Sequence, residues 1–171
     1  MSEFKDKVIS VVEYFVHYLV FLLVVTGIHE YFHLVTLRML GGDGYIKLTW
    51  YGGACVPTVL PERGLWLFYL SGGAFTALVL FLLSWLFENE IEERCAVLPF
   101  LLNQSVYSIL EATLITRLPR GEYLKIAMLV GTLTHSIGII VGFITLLEHI
   151  LGVELLFLRG ARAIKRRVES V

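Results

Sequence analysis

The chain has 171 residues, of which 57% are hydrophobic and 17% charged, and a formal net charge of -1. Soluble domains average about 45–50% apolar and about 25% charged residues, so an ordinary water-solvated globule is excluded, and the charge balance argues against nucleic acid as a partner. The mean hydropathy of +0.76 is concentrated in runs long enough to cross a bilayer, which takes roughly 20 apolar residues; one compact membrane domain over residues 1–171 is expected.

The first apolar run extends from about Val8 to Leu40 and stops at Gly41-Gly42, a helix-ending signal. Lys5 and Lys7 precede it, mixed with Glu3, Asp6 and Glu13. The run far exceeds the ~7–15-residue core of a secretory signal, so a retained helix is expected. Tyr45 to Tyr51 then alternates and is rich in β-formers. Gly52-Gly53 and Ala54-Cys55-Val56 follow, and the pattern predicts a short β-hairpin. Open strand edges are not tolerated in lipid, so the hairpin belongs at the surface, against protein or along a wet cavity.

The second run covers about Leu65 to Phe87 and is closed by Glu88, Glu90, Glu92 and Glu93; the third covers about Arg94 to Ile115, with a break at Pro119-Arg120-Gly121. The fourth starts near Glu122 and passes His149. It is too long for one perpendicular crossing, so it should tilt, bend near Gly138 or Gly142, or continue along the interface. A tail over residues 159–171 carries Arg159, Arg162, Lys165, Arg166 and Arg167, suited to anionic headgroups. Cys55 and Cys95 lie far apart and form no C-x-x-C pair, which suggests neither a disulfide framework nor a thiolate metal site. The expected fold class is an all-α membrane protein with about four transmembrane helices and a short β-hairpin between the first two. Its expected location is multi-pass, in the cell membrane.

His29-Glu30-Tyr31-Phe32-His33 lies inside the first run. On a helix, residues i and i+4 share a face, so both imidazoles can reach one metal ion. Glu30, one residue along, can take a proton from a metal-activated water and deliver it to a leaving amine. Ionisable groups at membrane depth are costly and point to function. Zinc needs a third protein ligand. Glu111 is the acid inside the third run, and Glu122 at the start of the fourth is its rival. Asn103, two turns before Glu111, suits either a hydrogen bond to a developing oxyanion or interhelical glue with Gln104 and Ser105. His17, His135 and His149 have no ligand spacing to another histidine and are expected at helix contacts.

These residues resemble the site-2 protease family of intramembrane zinc metalloproteases over roughly Thr26 to Leu129. The marks are His29-Glu30-x-x-His33 followed by Arg38 and Gly41-Gly42, then the hairpin ending in Tyr51-Gly52-Gly53. After them come Leu70-Ser-Gly-Gly-Ala74, and Asn103 with Glu111 downstream. Two departures stand out: Glu111 precedes Ala112-Thr113 where the family has Asp before two glycines, and the prolines between asparagine and acid are absent. The resemblance implies Zn²⁺ at His29, His33 and Glu111, catalysis with Glu30 and Asn103, and a transmembrane protein or peptide as substrate, cut within or near the bilayer. It also implies that the catalytic side faces the cytoplasm. The competing expectations are a catalytically inactive adaptor or chaperone of the same fold, and a haem- or metal-carrying membrane protein.

Overall fold

The computed structural model describes residues 2–49, 52–87 and 90–152; the basic tail and the tip of the hairpin lie outside them. In chain order the elements are α1 (Ser2–Met39), β1 (Asp43–Thr49), β2 (Gly52–Val59), α2 (Leu65–Leu86), α3 (Ile91–Leu114) and α4 (Arg120–Leu151). All four helices are long and apolar enough to span a membrane, and the hairpin sits between the first two, as the hydropathy pattern predicts. The chain is compatible with a multi-pass membrane protein.

At 1.5 Å per residue the 38 residues of α1 reach about 57 Å, well beyond the ~30 Å hydrocarbon core. The helix begins at Ser2 rather than Val8, because Lys5, Asp6 and Lys7 continue it past the apolar stretch. Its outer flank presents Leu19, Val20, Leu22, Leu23 and Val24, a surface that lipid can solvate. The fourth helix runs unbroken from Arg120 to Leu151. Gly138 and Gly142 serve close packing against α3 there. A Cβ on Gly142 would lie 2.5 Å from the Cys95 carbonyl oxygen. That carbonyl lacks its usual helical donor because residue 99 is a proline, buried inside α3.

Among these helices α3 is central, packing against α1, α2 and α4, whereas α4 barely meets α1. The core lies in the half of the bundle away from the hairpin. Tyr14, Cys95, Ala96 and Leu146 form one buried cluster, and Val25, Leu80, Val97 and Phe100 form a second. Tyr18 and Phe21 pack against both. Such contacts hold the helices together by packing, since lipid is as apolar as the side chains themselves. Buried His29, Glu30, His33, Ser71 and Ser108 lie in the other half.

The hairpin folds back onto the last third of α1. Its strands pair antiparallel from Thr49↔Gly52 to Asp43↔Val59, with an irregularity between Asp43 and Gly44. At the base, Arg38 Nε donates to Asp43 Oδ1 at 3.3 Å, and the Gly44 amide donates to the same oxygen at 2.8 Å. The Gly44 amide and the Arg38 guanidinium hold the Asp43 carboxyl below the usual carboxylate range. This ion pair is exposed and contributes little stability; what it does is join the helix end to the strand.

Candidate metal centre

His29 and His33 sit one turn apart on α1, both buried. They lie ten and six residues before Met39, about 15 and 9 Å from the helix end at 1.5 Å per residue. The antiparallel run of the bundle brings the end of α3 and the starts of α2 and α4 to the same depth. Glu111, three residues before the end of α3, meets the histidines there. Its Oε2 lies 3.5 Å from His29 Nε2 and 3.3 Å from His33 Nε2. The two Nε2 atoms are 3.0 Å apart.

The far side of each ring fixes what the near side offers. His33 Nδ1 donates to the Phe68 carbonyl at 2.6 Å. A carbonyl only accepts, so the proton is on Nδ1, and in the neutral ring Nε2 then carries a lone pair. His29 Nδ1 donates to Gln104 Oε1 at 2.6 Å, with the same consequence. With both rings neutral, two lone pairs and a carboxylate oxygen converge, and Glu111 Oε2 is buried without a hydrogen-bond partner. Three acceptors facing one another repel unless a proton or a metal cation lies among them. Two ligand atoms on a tetrahedral zinc, each 2.0–2.1 Å from the ion, are about 3.3 Å apart. The three separations fall around that value, and the group could hold a metal ion.

Small residues let the helices close around this point. A side chain on Gly72 of α2 would collide with the His33 ring, and one on Gly73 would press on Ser108 and the Gln104 carbonyl of α3. The Leu70-Ser-Gly-Gly-Ala74 segment thus has one glycine for each neighbouring helix. Gly53 plays the same part for the hairpin: a Cβ there would meet Glu30 Cγ at 3.0 Å and Thr26 Cγ2 at 3.1 Å.

Glu30 is buried beside the histidines. Its Oε2 accepts the backbone N–H of Cys55 in β2 at 2.5 Å, which leaves Oε1 free of that bond. Burial first, then the Glu30 carboxylate, push the Cys55 thiol up to about 11. A cavity of about 600 Å³ opens in front of these groups. Gly53, Ala54 and Cys55 line it from the hairpin, Tyr69 from α2, Tyr107 from α3, and Tyr123 and Leu124 from α4.

Glu122, the rival third ligand, is exposed on the first turn of α4. Asn103 does not line the cavity; its Nδ2 donates to the Gly131 carbonyl of α4 at 2.9 Å. The polar side chain of α3 that reaches the histidines is its neighbour Gln104, which sequence reasoning passed over as interhelical glue. Gln104, Tyr107, Ser108 and Glu111 follow the i, i+3, i+4, i+7 spacing of one helix face, and that stripe was the available signal. His17 faces Glu93 at 3.2 Å, His135 is bonded to the Tyr18 hydroxyl at 2.8 Å, and His149 is exposed.

If Gln104 orients His29, its isosteric loss has a defined cost. Gln104→Met should lower metal affinity about 10–100-fold, the usual effect of removing a ligand's supporting hydrogen bond, with the helical content unchanged. Competition against a chromophoric chelator measures it.

No protein-family model, no curated protein and no solved structure matches the chain.

Proposed function

We propose that the protein is a membrane-embedded zinc peptidase of the site-2 protease kind, hydrolysing peptide bonds in transmembrane segments from within a cell membrane. The observation that carries this reading is the convergence of His29 Nε2, His33 Nε2 and Glu111 Oε2 within helices long and apolar enough to span a membrane, with Glu30 beside them. Two imidazoles and one carboxylate, with a position left open, make the donor set of catalytic zinc hydrolases. A divalent ion held there would polarise the scissile carbonyl and make a water acidic enough to attack near neutral pH.

The remaining work falls to the chain. Glu30 would take the water's proton on Oε1 and deliver it to the leaving amine nitrogen, while the Cys55 amide holds its other oxygen in place. A helical substrate shields its carbonyls with its own hydrogen bonds, so it must unwind near the cut. The β2 segment along the cavity offers backbone groups to which an unwound strand can pair.

A haem protein is disfavoured by the same distances. The two Nε2 atoms, 3.0 Å apart, are too near to stand on opposite faces of a porphyrin, and His17 and His135 are engaged elsewhere. The test is to purify the full chain in detergent, count metal, and offer a transmembrane peptide. The expected result is one zinc per chain and cleavage that a chelator stops and zinc restores. Bound zinc without cleavage of any transmembrane peptide would point to the inactive adaptor instead.

A further inference from the structure

The edge of β2 nearest the metal centre is uneven in what its backbone offers. In an antiparallel pair, hydrogen-bonded and non-hydrogen-bonded rungs alternate. The Cys55 amide donates to Glu30 Oε2 rather than to β1, and Pro57 has no N–H to donate. Ile46↔Cys55 and Gly44↔Pro57 are therefore rungs without ladder bonds, and Tyr45↔Val56 and Lys47↔Ala54 carry them. By the same alternation the backbone groups of Gly53, Cys55 and Pro57 point away from β1, on the side where Glu30 meets the strand.

Among the described residues the sheet has two strands, so that side of β2 is an open edge, and Gly53, Cys55 and Pro57 line the cavity. Each presents a carbonyl. Gly53 presents its N–H as well, whereas the Cys55 N–H is held by Glu30 and proline has none. A missing side chain at position 53 is also what admits Glu30, since a Cβ there would stand 3.0 Å from Glu30 Cγ.

An extended chain laid antiparallel on this edge donates at all three rungs but accepts only from Gly53. One of its residues exchanges both hydrogen bonds with Gly53, as antiparallel pairing allows, and is clamped there. Two residues earlier in that chain, at Cys55, its carbonyl meets an edge whose donor is already taken. The Pro57 rung lacks a donor too, but it lies about 6.7 Å further along the strand from Glu30. The one carbonyl left unbonded beside Glu30 is thus the one opposite Cys55. Resting on the peptidase reading above, we propose that this edge sets the register of the cut: the scissile carbonyl belongs to the substrate residue facing Cys55, and Gly53 clamps the second residue after the cut.

The test uses the full chain, zinc-loaded in detergent, and a transmembrane peptide whose cut site is first read by mass spectrometry. The peptide is remade with a phosphinic group at that bond, so that it binds without being cut, and with a single cysteine moved from three residues before the bond to three after. Directly opposite side chains on paired strands have Cβ atoms about 4.5–5.5 Å apart and diagonal ones about 7–8 Å, while a disulfide needs about 3.5–4.5 Å. At equilibrium with a glutathione buffer, the disulfide to Cys55 should therefore peak with the cysteine at the scissile residue. Cys95 is buried in the core and does not compete. N-methylation of the second residue after the cut should weaken binding about tenfold, the size of one lost hydrogen bond, and of the third should leave binding unchanged. A disulfide peak at any other residue, no disulfide at all, or equal losses from the two methyl groups overturns the register; cleavage by the same preparation keeps the peptidase reading standing. Zinc-loaded protein that cuts no transmembrane peptide overturns both.

Discussion

Replacing Glu30 by glutamine should lower turnover by about 10²–10⁴-fold, the usual range for loss of a general base, while zinc stays at one per chain. The reasoning is geometric. Glu30 Oε2 accepts the Cys55 amide at 2.5 Å, and the amide oxygen of a glutamine can accept the same bond, so the hairpin keeps its seat on α1. The metal ligands are untouched, because neither imidazole depends on Glu30 for its Nδ1 partner. What disappears is the oxygen proposed to take a proton from water and hand it to the leaving amine. Cleavage of a transmembrane peptide in detergent, with metal content measured on the same preparation, gives the answer. A Glu30→Gln protein that cuts as fast as wild type would end the peptidase mechanism, whatever its zinc content.

The second large effect separates two acids. Glu111→Ala should leave zinc well below one per chain and cleavage at background; Glu122→Ala should change neither. Glu111 supplies the third acceptor, 3.3 and 3.5 Å from the two Nε2 atoms. Without it the imidazoles form a two-point site inside the bundle, and a catalytic zinc takes three protein ligands. The loss should exceed the ~10–100-fold that a supporting hydrogen bond is worth. Glu122 is exposed on the first turn of α4, where an acid complements the helix dipole and does little else. Zinc lost from the Glu122 variant and kept by the Glu111 variant would reverse the assignment.

The helices and hairpin were legible because hydropathy measures what a bilayer demands: an uninterrupted apolar run must close its own backbone hydrogen bonds as a helix. The ends were less legible. Charged Lys5, Asp6 and Lys7 disguised the start of α1, and Glu92 and Glu93 that of α3, since a helix can leave the lipid without ceasing to be a helix. His29, Glu30 and His33 could be grouped because helical spacing alone puts them together. Choosing between Glu111 and Glu122 required the relative depth of two helices, which no local pattern encodes. Asn103 and Gln104 show a finer limit. Adjacent residues on a helix point about 100° apart at 3.6 residues per turn, so one faces Gly131 and the other His29, and the choice depends on how α3 is rotated against its neighbours.

The ligand set has a mechanical meaning as well as a chemical one. Two of its members belong to α1 and the third to α3, so an ion held there is a cross-link between helices 78 positions apart in the chain, counted from His33 to Glu111. In a bilayer, where burial of apolar surface contributes no net force between helices, such a link bears directly on whether the bundle stays assembled. By mass action a metal free at 1,000 times its dissociation constant stabilises the assembled form by about 4 kcal/mol. Metal supply would then govern how long the protein lasts in the membrane as much as how fast it works.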